Sequence, residues 1–296
     1  MDPIGWRELA RKVEDLGYST LTAADHFHDS LAPIPALMAA ADATTRLRVG
    51  TMVLANDYRH PVVLAKEAAT LDLLTAGRFE LGIGAGWMAT EYEAAGIPLD
   101  PPGERVDRLE ESVAMLRRLF RDEPVHHAGH HYQLDGLVGR PRPITLGGPP
   151  IVIGGGGPRV LRLAARLADV VAINVNLRSG VMDASVFPDG TPDATDRKVG
   201  WIREAAADRI DDIELQVRVH LAMVTNDREA VLHELAPAFN LTPVQASATP
   251  HAMVGSVEQI ADQLVAQRER WGISYLGVSG DQLDALAPVV ARLSGT

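Results

Sequence analysis

The sequence predicts an α/β fold, and specifically a TIM (β/α)₈ barrel, from three observations. Apolar strands alternate with amphipathic helices along the whole chain. Residues 44–87 contain one full unit, with a strand at 47–54, a helix at 61–74 and a strand at 79–83. Seven strands can be counted, each followed by a helix, and no gap resembles a domain boundary. A doubly wound sheet is the alternative, although it would not need this many uniform repeats.

The unit at residues 44–87 follows from local chemistry. The apolar run at 47–54 is typical of a strand that is covered on both faces. Pro61 lies at the first helical position, where its fixed φ is tolerated, and Gly77 ends the helix. Strand, helix and strand in this order require parallel pairing and a right-handed crossover.

The other elements are predicted from the same periodicities. Residues 121–150 indicate an excursion such as a hairpin, and residues 177–195 indicate a mobile loop over the site. We therefore expect residues 1–296 to form a single barrel domain with these two excursions. The other predicted strands lie at 18–24, 151–153, 169–174, 213–219 and 274–278. The other predicted helices are one ending at Gly17, one following the strand at 151–153, a terminal helix, and those at 33–43, 104–120, 196–208, 228–239 and 257–270. A loop carrying Glu91, Tyr92 and Glu93 and a link at 243–250 complete the chain.

One strand of the barrel is missing from this count, because a helix precedes the first of the seven strands. A barrel without that strand would expose two unpaired edges. We therefore expect the natural start to lie upstream, with a further apolar strand.

Composition excludes several classes of protein. A formal net charge of −11 argues against a nucleic-acid binder and against an anionic membrane surface. No apolar run is long enough to span a bilayer, and residues 1–12 lack a secretory apolar segment. The absence of cysteine excludes disulfides and thiolate metal sites. We expect a cytoplasmic protein.

Function in such a barrel lies at the carboxyl ends of the strands. A glycine-rich turn that opens a helix suggests a phosphate held by backbone N–H groups. The strand ends carry Asp25 and His26, residues 51–57, residues 84–87, Gly154 to Gly157, Asn174 and Asn176, and Ser279.

Four motifs together resemble the bacterial luciferase-like monooxygenase superfamily, and within it the oxidoreductases that use the deazaflavin coenzyme F420. The resemblance covers essentially the whole chain. The motifs are Ala24-Asp25-His26-Phe27, Thr51-Met52-Val53-Leu54 with Arg59-His60-Pro61, Gly77-Arg78-Phe79-Glu80-Leu81-Gly82-Ile83-Gly84, and Ile153-Gly154-Gly155-Gly156-Gly157.

The resemblance implies roles for individual residues. His26 would be the catalytic residue beside the reactive carbon of the deazaflavin, and Asp25 a cofactor-contacting acid. A non-prolyl cis peptide at Met52–Val53 would bulge against the ring system. The cofactor-binding set would be Asp25, Thr51, Met52, Val53, Gly84, Ala85, Gly86, Gly154, Gly155, Gly156 and Gly157.

The resemblance also implies an activity, the transfer of a hydride between coenzyme F420 and a small organic substrate. The alternatives are an FMN-dependent monooxygenase supplied by a partner reductase, and a non-catalytic flavin- or deazaflavin-binding protein. Related sugar-phosphate dehydrogenases carry a glutamate where this chain has Ala85, which argues against sugar-phosphate oxidation. We expect a homodimer, with a cofactor-reducing enzyme as an indirect partner.

Several of these motifs also have a simpler interpretation. Asp25 and His26 would also suit a structural pair at a strand end, and the glycines a loose turn. The histidines at 126–131 resemble a metal cluster, but a solvated hairpin explains them better, so no metal is expected. Arg59 and His60 suit either a substrate anion or a loop that caps its own helix.

Overall fold

The computed structural model describes residues 3–295, and the chain divides into two compact units. The first unit comprises Met1–Glu14, Ser19–Gly154 and Leu167–Asp169. The second comprises Asp15–Tyr18, Gly155–Arg166 and Val170–Thr296. The expectation of a single domain stays a prediction.

The first unit alternates helices with parallel strands, as predicted. Its helices are α1 (Pro3–Asp15), α2 (Pro33–Asp42), α3 (Pro61–Leu74), α4 (Ala89–Ala95) and α5 (Pro102–Leu119). Its strands are β1 (Thr20–Ala23), β2 (Arg48–Thr51), β3 (Leu54–Ala55), β4 (Phe79–Gly84), β5 (Pro124–Ala128), β6 (Gln133–Val138) and β7 (Ile151–Gly155).

The sheet of the first unit is parallel. β1 pairs with β2, β2 with β4, and β4 with β7, while the short β3 also pairs with β4. All six residues of β4 are buried, as expected for a central strand with both faces covered. Pro61 does begin α3, and the side chain of His60 caps that helix by accepting a hydrogen bond from the Val62 N–H. β5 and β6 form the predicted antiparallel hairpin.

The second unit repeats the alternation. Its helices are α6 (Pro158–Leu167), α7 (Pro192–Ala206), α8 (Arg228–Leu235), α9 (Pro243–Ala248), α10 (Val257–Trp271) and α11 (Leu283–Leu293). Its strands are β8 (Val170–Ile173), β9 (Glu214–Arg218), β10 (Leu221–Val224), β11 (Ala252–Gly255) and β12 (Ile273–Gly277). β8, β9 and β12 pair in parallel in that order, and β10 pairs in parallel with β11.

Several predicted boundaries were wrong. The strand predicted at 47–54 is two strands, β2 and β3, separated by a cis peptide bond between Met52 and Val53. The loop predicted around Glu91 is helix α4, and the link at 243–250 contains helix α9. Helices of six or seven residues are too short to show a helical period, although Thr242 and Gln245 form a capping box that marks the start of α9.

Two further differences concern the second unit. β10 and β11 were not predicted, because four residues each give too little alternation to separate a strand from a loop. The loop predicted at 177–195 contains a 3₁₀ helix at Ala184–Gly190, capped by Asp183, and the start of α7.

Within residues 3–295, no helix combines the length and apolar character needed to cross a membrane.

Candidate active site

The predicted site residues of the first unit meet at one edge of its sheet. β1, β2 and β4 run parallel as neighbours, so the segments that follow them emerge on the same side. Asp25 and His26 follow β1, the cis bond follows β2, and the glycines follow β4. The structure therefore places at this edge Asp25, His26, Thr51, Met52, Val53, Gly84, Ala85 and Gly86.

His26 is held by a buried carboxylate. Its Nδ1 lies 2.9 Å from Oε2 of Glu91, and the other oxygen of Glu91 accepts a hydrogen bond from the backbone N–H of Phe27 at 3.0 Å. Because a carboxylate only accepts, Nδ1 carries the proton, and the lone pair of the neutral ring lies on Nε2. The His26 side chain is 22% exposed, so Nε2 can exchange a proton with a ligand.

Asp25 is paired inside the protein. Arg59 donates to both of its carboxylate oxygens, at 2.5 and 3.1 Å, and the Ala55 N–H donates to Oδ2. Asp25 is 8% exposed. Arg59 therefore orders the loop that follows β3. Arg59 and His60 were expected either to bind a substrate anion or to cap their own helix, and the structure favours the second, because His60 caps α3.

Aromatic rings surround His26. Trp87 meets it edge-on with ring centroids 5.8 Å apart, and His28 stacks on it at 5.2 Å. Phe27, which is 54% exposed, stacks on Tyr58. Nitrogen and oxygen atoms of His26, His28 and Glu91 lie within 4.8 Å of one another, as metal ligands would, but both Glu91 oxygens already accept hydrogen bonds.

A second charged cluster supports the same edge. Arg108 of α5 donates to Asp57 at 2.7 Å and to Asp100, and Asp57 also accepts the hydroxyl proton of Tyr92 at 2.9 Å. Burial opposes the charge of Arg108, but its hydrogen bonds to Asp100 and Asp57 raise its pKa above the usual value. Burial and the Asp57 carboxylate raise the pKa of Tyr92, so its hydroxyl stays protonated.

The glycines at this edge are required by close approach. A Cβ on Gly84 would lie 2.8 Å from the Val53 side chain, and one on Gly86, whose φ is +73°, would overlap the Tyr92 hydroxyl. Arg105 donates to the carbonyl oxygens of Ala85 and Gly86 and so fixes this turn. Ala85 and Gly86 are partly exposed, so a flat ligand can approach the backbone of this turn.

Thr51 is less accessible than predicted. Its hydroxyl donates to the Gly82 carbonyl at 2.7 Å and accepts from the Gly82 N–H at 2.8 Å, and the residue is fully buried. The structure thus commits the Thr51 side chain to the sheet.

The tetraglycine turn is divided between the units. Gly154 ends the first unit's chain segment beside Gly84, whose Cβ would lie 3.5 Å from the Gly154 carbonyl oxygen. Gly155, Gly156 and Gly157 begin the second unit and lead directly into α6. A Cβ on Gly156 would collide with the backbone of Asn174 and Val175, so the turn needs glycine for space.

The histidines at 126–131 belong to the β5–β6 hairpin. His127 pairs with Glu111 of α5 at 2.8 Å, and the exposed His126 with Asp135 at 3.1 Å. Burial raises the pKa of Glu111, but hydrogen bonds from His131, His127 and Tyr132 outweigh it and lower that pKa overall. The hydrogen bonds to Glu111 tie the hairpin to α5.

Sequence reasoning missed the residues that position the site. Glu91, Arg105 and Arg108 lie on helices α4 and α5, where charged residues normally suggest a solvated face. Arg105 and Glu91 are nevertheless less than 10% exposed. Their positions on the inner faces of α4 and α5 were the available signal, but α4 was not predicted.

The chain matches a known protein family over most of its length. Residues 5–252 match the model of the luciferase-like monooxygenase family. An F420-dependent glucose-6-phosphate dehydrogenase of Intrasporangium calvum is 31% identical, covering 90% of this chain and 81% of that protein.

Solved structures extend the likeness to nearly the whole chain. The coenzyme F420-dependent tetrahydromethanopterin reductase of Methanopyrus kandleri superposes with a TM-score of 0.78 at 17% identity, covering 99% of this chain and 96% of the other. A monooxygenase of Streptomyces bottropensis gives 0.75 at 21% identity, covering 99% and 92%. The predicted fold class, the TIM barrel of these enzymes, is confirmed. The chain belongs to the luciferase-like monooxygenase family.

Proposed function

We propose that this protein is an oxidoreductase that transfers a hydride between coenzyme F420 and a small organic substrate. The observation that carries the proposal is His26, whose Nδ1 is held by Glu91 and whose Nε2 makes no hydrogen bond within residues 3–295, at the edge where Val53 approaches Gly84. The Intrasporangium calvum and Methanopyrus kandleri enzymes are both F420-dependent, which supports the choice of cofactor.

The residues present suit a deazaflavin. The turn at Gly84, Ala85 and Gly86 carries no side chain larger than a methyl group, and the ring would lie against it and the Met52–Val53 bond. The predicted phosphate contacts are the backbone N–H groups of residues 154–157, which open α6. When bound, the deazaflavin supplies or accepts the hydride.

The chain's own part is to position and to move a proton. The Glu91 carboxylate holds the Nδ1 proton and stabilises the imidazolium that forms when Nε2 accepts a second proton. His26 can therefore remove a proton from an alcohol that is being oxidised or return one to a carbonyl that is being reduced. Trp87 and His28 restrict the rotation of its ring.

The test is His26→Ala. We expect turnover to fall by roughly 10²-fold or more, the usual scale for a general acid–base group, with an unchanged melting temperature. The readout is deazaflavin absorbance over a panel of enones, quinones and alcohols. Turnover at the wild-type rate would refute the role of His26, and binding without turnover in the wild type would favour a passive binder.

An FMN-dependent monooxygenase is the second candidate, favoured by the likeness to the Streptomyces bottropensis enzyme. In that case a partner reductase supplies reduced flavin. Oxygen consumption that depends on reduced FMN would establish it.

The wider setting is proposed on the same basis. The substrate is a small molecule other than a sugar phosphate, because Ala85 stands where related dehydrogenases have a glutamate. The protein works in the cytoplasm as a homodimer, and a separate enzyme restores the redox state of the cofactor. Light scattering coupled to size exclusion tests the dimer, for which a monomer at micromolar concentration is the contrary result.

A further inference from the structure

The second unit holds an arginine whose charge is not neutralised. Arg218 ends β9, and within residues 3–295 its guanidinium makes one hydrogen bond, a 2.8 Å donation to the hydroxyl of Ser279 beyond β12. Arg59 and Arg108 of the first unit are instead paired with carboxylates. Burial lowers the pKa of Arg218 below the usual value, and Asp281, its acidic neighbour, lies beyond ion-pair distance. Burying a cation without an ion pair costs free energy, and an anionic ligand that pairs with the cation would offset this cost.

The histidine close to Arg218 adds no charge. Val219 points into the apolar core, so Arg218 and His220 point to the opposite side. His220 donates from Nε2 to the Asn174 side-chain oxygen at 2.9 Å, since that oxygen can only accept. Burial and the Arg218 charge lower the pKa of His220 to about 4, so it is neutral at pH 7.

A buried donor without a partner lies on the same face. Gln216 precedes Arg218 by two residues and is 1% exposed, and its Nε2 has no hydrogen-bond partner in the described part of the chain. A Cβ on Gly277 would lie 2.6 Å from this nitrogen, so the Gln216 amide fits here only because residue 277 is glycine.

An apolar wall borders this cluster. Phe187, from the excursion at 177–195, meets His220 edge-on at 5.5 Å and packs against Phe239 at 4.8 Å. Lys198, the other nearby cation, is fully buried and already paired with Asp189 at 2.6 Å. The cluster thus offers one free positive charge beside an aromatic surface.

We propose that Arg218 and Ser279 bind the carboxylate of an organic acid whose hydrocarbon part packs against Phe187. One guanidinium and one hydroxyl match a monoanion, whereas a phosphate dianion would need a second cation. This carboxylate site lies within the second unit and does not depend on the proposed function.

The direct test uses small probes. Butyrate, its uncharged amide butyramide and inorganic phosphate are titrated into the protein, and the Arg218 Nε–H and His220 ring signals are followed by NMR. We expect butyrate to shift both signals and to raise the pKa of His220, because it offsets the arginine charge. Butyramide should shift neither signal, and phosphate should bind at least tenfold more weakly than butyrate.

Variants locate the response. Arg218→Met should abolish the butyrate response, and Arg197→Met, which removes an exposed arginine of α7, should retain it. Arg218→Met should also raise the pKa of His220 in the absence of ligand, because the arginine charge that lowers this pKa is removed. This rise shows that the variant is folded. No butyrate response in the wild type, equal responses to butyramide, or tighter phosphate binding would overturn the proposal.

Discussion

Replacing Glu91 by glutamine tests whether His26 depends on a buried charge. The variant keeps the shape of the side chain but replaces a carboxylate by an amide, whose NH₂ group favours a proton on Nε2 and not on Nδ1. The 2.9 Å contact to Nδ1 then no longer stabilises the imidazolium.

The magnitude follows from the contact. A hydrogen bond to a charged group contributes roughly 1.5–3 kcal/mol, and each 1.36 kcal/mol changes a rate about tenfold. We therefore expect Glu91→Gln to lower kcat by roughly 10- to 100-fold. Because Glu91 also accepts from the Phe27 N–H, which glutamine can still satisfy, cofactor affinity should change by less than about twofold.

The assay is single-turnover reduction or oxidation of the deazaflavin, with cofactor affinity and melting temperature measured beside it. Glu93→Gln is the matched control, since Glu93 is exposed on the same helix and should leave all three quantities unchanged. A wild-type rate in Glu91→Gln, or a rate loss explained by unfolding, would refute the positioning role.

Two further predictions concern stability. His251 donates from Nδ1 to the Arg218 carbonyl, and burial lowers its pKa to about 3. Its contribution to the free energy of unfolding should therefore be complete above pH 6.5 and be lost as the pH drops towards 3, with a loss of about 2 kcal/mol at pH 5. Denaturant unfolding of His251→Gln should show a flatter pH dependence, and an unchanged slope would contradict this. Gly82→Ala places a Cβ against the Thr51 carbonyl oxygen and should lower the free energy of unfolding by roughly 3 kcal/mol or more. Gly200→Ala lies in open space on α7 and should raise it by about 0.5–1 kcal/mol. Equal denaturation midpoints for the two variants would refute the steric argument.

The sequence was sufficient for the alternation of strands and helices and for the strand-end residues. Buried runs such as 79–84 and capped helices such as Pro61–Leu74 carry their own signals. The Met52–Val53 cis bond came from the resemblance, since neither residue favours it locally.

What could not be predicted are partners distant in sequence. Glu91 meets His26 across 65 positions, and Arg108 meets Asp57 across 51, so only the fold brings them together. Arg218 looked like an ordinary strand residue, because the lack of an ion pair is visible only once its surroundings are known.

Cofactor preference is the measurement that tests the central claim most directly. Coenzyme F420 and FMN are each titrated into the protein and followed by fluorescence quenching. We expect saturable F420 binding at least tenfold tighter than that of FMN. FMN binding that is equal or tighter would contradict the account, and so would the absence of saturable F420 binding by the folded protein.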